Sequence, residues 1–215
     1  MEPIAHLRLV EKSEPPEYDE QTLKAHNENS GKYAAEALRC IGLDKVGSFC
    51  GNIHDLGKAT KKFFDYIQPD NTLRRGEVNH TFAAVRYIFE MSDGVDNEVR
   101  ELLAYAVGAH HGQFDAVNDD HKNGFEHRLT KDGIDYDEAK KNFNEHCFSD
   151  AELKSQFNSA AEQLTEIIAG IRERNPKRSA RQAEEYEFQI SLLARLLLLS
   201  LIHISEPTRR AVISY

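Results

Sequence analysis

With 215 residues and 40% of them apolar, the sequence is sized for one domain around a single core. Its formal charge of −9 and pI near 5.6 exclude a surface that grips nucleic acid by charge alone, because phosphate binding rests on clustered Lys and Arg. The three cysteines, Cys40, Cys50 and Cys147, lack metal-finger spacing, and the opening "MEPIAHLRLVEKSEPPEYDE" has no apolar signal core, so a cytoplasmic, reduced chain is expected.

Residues 1–17 read as an extended N-terminal segment marked by Glu14-Pro15-Pro16-Glu17, and the main domain is expected over 18–201. In "DEQTLKAHNENSGKYAAEALRCIG" the apolar positions Leu23, Tyr33, Ala37, Leu38 and Ile41 recur at helical intervals, and the helix should stop near Gly42. Val46, Phe49, Cys50 and Ile53 continue the rhythm in a second helix that carries His54 and Asp55 in or at its end, and the pattern resumes at Phe63, Phe64 and Ile67 before Pro69. Asn79 can cap "HTFAAVRYIFEM", which ends at Ser92-Asp93-Gly94, and "DNEVRELLAYAVGAHHG" predicts a helix stopped by Gly112 with His110 and His111 in its last turn.

Residues 113–150 are polar, with turn signals at Asp119-Asp120, Asn123-Gly124 and Asp132-Gly133, and predict a loop insertion with little regular structure. Two long helices follow, roughly 151–173 and 178–201. The stretch "ISLLARLLLLSLIHI" (190–204) carries Arg195 and is too short to span a bilayer. No repeat and no alternating strand pattern occurs, so the expected fold is an all-α helical bundle.

Ten His residues make a single His-Asp or His-His pair unsurprising, so the signal lies in order and helical context. Five His and one Asp fall on helices or at their ends in the order His26, His54-Asp55, His80, His110-His111. Imidazole and carboxylate together suit Fe, Mn, Ni, Co or Zn, and six ligands are too many for one ion with an open position, so two ions are expected. Such a pair lowers the pKa of a water and clamps the attacking and leaving oxygens of a phosphoester. Asp55 is the natural bridge, and Lys58 can set a positive charge near the phosphate. His6, His121, His127 and His146, in polar or irregular stretches, read as solvated. Tyr33, Phe49, Phe63, Phe64, Phe82 and Phe89 read as core.

The stretches "LKAHNENSGKYAAE", "GNIHDLGKATKKFFDYI", "VNHTFAAVRYIF" and "YAVGAHHGQF" resemble the HD nuclease domain of the CRISPR-associated helicase-nucleases of type I systems, over roughly residues 18–200. The resemblance implies an all-α HD-domain bundle with two divalent transition-metal ions that cuts single-stranded DNA, beside a helicase domain and recruited by an RNA-guided surveillance complex. It assigns His26, His54, Asp55, His80, His110 and His111 as metal ligands, with Asp55 and Lys58 catalytic, and expects no membrane partner. "HDLGK" is shared with nucleotide phosphohydrolases of the wider superfamily, which stand as the alternative, and a non-catalytic metal-binding fragment is a third reading.

The sequence departs from the family pattern at its end. The family's final Asp, expected a few residues past "LLLLSL", is absent from "IHISEPTRRAVISY", so one of the two ions is expected to be weak or lost. The stretch "LSLIHISEPTR" (199–209) resembles a translated sequencing adaptor, residues 202–215 are read as a non-native tail on a fragment of a longer helicase-nuclease, and His203 and Glu206 receive no role.

Overall fold

The computed structural model describes residues 2–10, 17–74, 78, 80–111, 129 and 135–205, the last three by backbone alone. The chain opens with a hairpin, β1 (Ile4–Leu9) antiparallel to β2 (Tyr18–Thr22). Eight helices follow among the described residues: α1 (Leu23–Leu38), α2 (Asp44–Ile53), α3 (Lys61–Ile67), α4 (Thr81–Met91), α5 (Asn97–Gly108), α6 (Tyr136–His146), α7 (Asp150–Arg174) and α8 (Ala180–Ser205). The architecture is all-α apart from that small sheet. No described helix is long and apolar enough to cross a membrane.

Local chemistry sets most of the boundaries. The Thr22 hydroxyl accepts from the Ala25 amide and starts α1, and Gly42, at φ 73°, takes the left-handed turn that ends the 3-10 turn after it. Thr60 caps α3 through Phe63 N at 3.1 Å, Asp96 caps α5 through Glu98 N at 2.8 Å, and Ser149 with Glu152 forms a capping box on α7.

The pair that matters for function is α1 with α2. A Cβ on Gly47 would stand 2.5 Å from the Ala34 carbonyl, and one on Gly51 would stand 2.4 Å from Gly31 N, so the two backbones touch where any side chain would wedge them apart. The other side of α2 packs on α7, where Phe49 meets Phe157 edge to face at 5.6 Å and Asn52 donates to Gln156 Oε1 at 2.8 Å. Helix α8 packs against α1 and α5, burying Leu193, Leu197 and Leu201 in the common core.

Several expectations need correction. The stretch 113–150 is not wholly irregular: α6 lies within it, missed because "YDEAKKNFNEH" buries only Ala139 and Phe143, one turn apart, and is otherwise polar. The extended opening is the first strand of a hairpin whose second strand, Tyr18–Thr22, lies wholly beyond residue 17. Helix α5 ends at Gly108, so His110 and His111 lie beyond its last turn. Tyr33 is 57% exposed rather than core, because α1 turns Ser30, Gly31, Ala34 and Leu38 inward. Asn79, the turn signals at 119–133, His121, His127 and residues 206–215 lie outside the described residues.

Candidate metal centre

The α1–α2 crossing brings His26, near the start of α1, against the end of α2, where His54 is the C-cap and Asp55 follows. Its geometry centres on one carboxylate. Asp55 Oδ2 lies 3.1 Å from His26 Nε2, 3.2 Å from His54 Nε2 and 2.7 Å from Lys58 Nζ. Asp55 Oδ1 lies 3.4 Å from His110 Nε2 and 3.9 Å from His111 Nε2. His80 joins through His111, the two Nε2 atoms standing 2.8 Å apart.

The backbone aims these rings. His54 Nδ1 bonds the Gly51 carbonyl at 2.8 Å and His110 Nδ1 the Val107 carbonyl at 2.5 Å, which leaves each Nε2 facing inward, as metal-ligating imidazoles are oriented. A 3-10 turn, Leu56–Lys58, returns the Lys58 ammonium to Asp55. Gly57 in that turn presses on α4: a Cβ there would stand 1.9 Å from the His80 carbonyl oxygen. Phe63 buttresses both sides, its ring centroid 5.3 Å from that of His80 and 5.4 Å from Lys58 Nζ.

The electrostatics favour a deprotonated donor set. Burial alone would raise the Asp55 carboxyl, but the His54 ring and the Lys58 ammonium beside it, with the rings of His110 and His26 close by, hold it well below the usual carboxylate range. Burial pushes His80 down to about 4 and His111, also beside His110, down to about 3, so both rings are neutral near pH 7 with a lone pair to offer. The buried Cys50 and Cys147 thiols, by contrast, are pushed up to about 12 by burial and stay protonated.

The donors fit a transition metal. Nε2 of His26, His54 and His110 and Oδ1 of Asp55 are buried without a properly aligned hydrogen-bond partner among the described residues, although they crowd within 3.1–3.4 Å of one another's neighbours at Asp55. Buried polar atoms are as a rule hydrogen-bonded, while donors about 2.1 Å from a shared ion stand roughly 3.0–3.4 Å apart. Among the described residues two groups could hold an ion: His26, His54 and Asp55, all buried, and Asp55, His80 and His111, on the open side. Asp55 belongs to both.

All six expected ligands and Lys58 are thus brought together. One neighbour was missed: His6, expected to be solvated, stands edge to face with His26 at 4.7 Å. Burial, with the charge of Lys58, pushes it down to about 4. Its signal was weak, a single His on a six-residue strand separated from the helical motifs. His146, at the end of α6, is partly buried and belongs to neither donor group.

No curated protein matches the sequence. The family model described as "Cas3, HD domain" matches residues 20–200, a span that contains every side chain of both donor groups. The chain therefore belongs to the Cas3 HD-domain family, whose role is that of an HD-type, metal-dependent nuclease in CRISPR interference.

Proposed function

We propose that this chain is the single-stranded DNA endonuclease part of a CRISPR helicase-nuclease, working beside a helicase domain and an RNA-guided surveillance complex in antiviral defence. The observation that carries the reading is the carboxylate of Asp55 shared by two donor groups, an arrangement that would suit a pair of ions about 3.5–4 Å apart. His26, His54 and Asp55 would hold one ion, and Asp55, His80 and His111 the other, with His110 completing the set beside Asp55 Oδ1. Fe, Mn, Ni or Co, or else Zn, matches imidazole and carboxylate donors, and when bound such ions supply an activated water and charge neutralisation at the phosphate.

The chain's own residues do the rest. Asp55 stays ionised because His54 and Lys58 face it. Lys58, buried and held at Asp55, fixes a positive charge where the phosphodiester gathers negative charge. It also lines a cleft of about 230 Å³ with Thr60, Lys61, Phe64, Glu138 and Asn142.

The charge of −9 favours a second reading, hydrolysis of free nucleotides, and predicts weak DNA binding by the isolated chain that weakens further with salt. A matched assay with Mn, Co, Ni or Fe decides. Nicking of single-stranded DNA that exceeds nucleotide turnover and is lost in Asp55→Asn is expected, whereas efficient nucleotide turnover without nicking would overturn the nuclease reading.

A further inference from the structure

The hairpin carries one polar group that the reading above does not use. On β1, the register slips between Ile4 and His6, so that Ile4 pairs with Thr22 but His6 with Gln21. A bulge of this kind turns the following side chain out of the strand's regular alternation. The strand is also pinned to the start of α1, where Leu23 N donates to the Pro3 carbonyl at 2.8 Å. Together these set the His6 ring against His26, with centroids 4.7 Å apart and planes at 76°.

In that position His6 Nε2 is buried and has no hydrogen-bond partner among the described residues. An apolar ring would pack as well against His26 without the penalty of an unpaired buried nitrogen. His6 also stands outside both donor groups, so it does not act as a ligand in this arrangement. We propose that His6 is a positioning residue of the centre, its Nε2 supplying a hydrogen bond to water at the ion position formed by His26, His54 and Asp55 and so raising affinity there. The inference rests on the metal reading given above.

Two substitutions in the full chain separate its parts. His6→Phe keeps the edge-on ring and removes the nitrogen; His6→Gln keeps a polar amide at similar reach and removes the ring. Mn2+ titration calorimetry, paired with thermal unfolding, is expected to show a loss of about 10–100-fold in affinity for the tighter ion in His6→Phe at unchanged Tm, with His6→Gln within about threefold of wild type. Wild-type affinity in His6→Phe, or equal losses in both variants, would overturn the proposal. His54→Ala in the same titration keeps the two readings apart. If wild type and His54→Ala alike bind no Mn2+, the metal reading fails and takes this one with it. If His54→Ala abolishes binding that His6→Phe leaves intact, only the role of His6 fails.

Discussion

The two halves of the centre use the same kinds of donor atom in opposite settings. His26, His54 and Asp55 have side chains 8%, 1% and 1% exposed and are framed by the glycine crossing of α1 and α2, so their separations are set by packed backbone. His80 precedes α4 without a side-chain cap bond, and His111, past the end of α5, is 47% exposed. A buried, framed half should hold an ion tightly and exchange it slowly, because little reorganises on binding. An open half admits solvent and substrate and should hold its ion less firmly. On the two-ion reading, retention and access are divided between two faces of one carboxylate.

The largest expected effect comes from removing what the halves share. Asp55→Asn deletes the only carboxylate in either donor group and leaves the Lys58 ammonium buried without its 2.7 Å partner. Metal content should fall at least 100-fold, and stability should fall by about 3 kcal/mol for the uncompensated charge. Elemental analysis and chemical denaturation check both parts. Equal metal content in wild type and variant would end the comparison, since neither half could then depend on Asp55.

Next come substitutions that divide the halves. A chelator added to the loaded wild type should remove metal in two phases, fast from the open half and slow from the buried one. His111→Ala should erase the fast phase and leave the slow one; His54→Ala should do the reverse. A single phase in wild type, or the same phase lost in both variants, would show that exposure does not govern exchange here.

A smaller effect is expected at Gly57. The Cβ added by Gly57→Ala would meet the His80 carbonyl oxygen at 1.9 Å, so α4 must shift or the 3-10 turn must open, at about 1–3 kcal/mol. Tm should drop by several degrees, and the fast phase should weaken while the slow phase persists. Loss of the slow phase instead would place the strain on the α2 side.

How much of this was legible depended on the period of each segment. The order His26, His54-Asp55, His80, His110-His111 could be read because each lies on or beside a helix with a clear apolar face, and two of the glycines that let α1 and α2 touch, Gly31 and Gly51, stand in the same motifs. Asp55 was expected to be shared, but the geometry that brings the rings to it could not be read, because it depends on that crossing and on the contact of Gly57 with His80. His6 was hidden by a bulge, which breaks the alternation that would have told which face of β1 is inward. Helix α6 was hidden by its polarity, with two buried side chains in 11 residues.

The smallest expected effect tests the same limit on α1. Helical spacing alone put Tyr33 in the core, yet the inward face of α1 runs through His26, Ser30, Gly31, Ala34 and Leu38, and Tyr33 projects to solvent at 57% exposure. Two positions away, a Cβ on Gly31 would meet Asn52 Oδ1 at 2.2 Å, on the contact that holds His26 beside His54. Tyr33→Ser should therefore change stability by no more than about 0.5 kcal/mol and leave both chelator phases as in wild type. Gly31→Ala should speed the slow phase by spreading α1 from α2 while sparing the fast one. If Tyr33→Ser speeds the slow phase as much as Gly31→Ala does, the buried half is set by the outer face of α1 as well as by its crossing face, and the division between a framed half and an open half loses its structural basis.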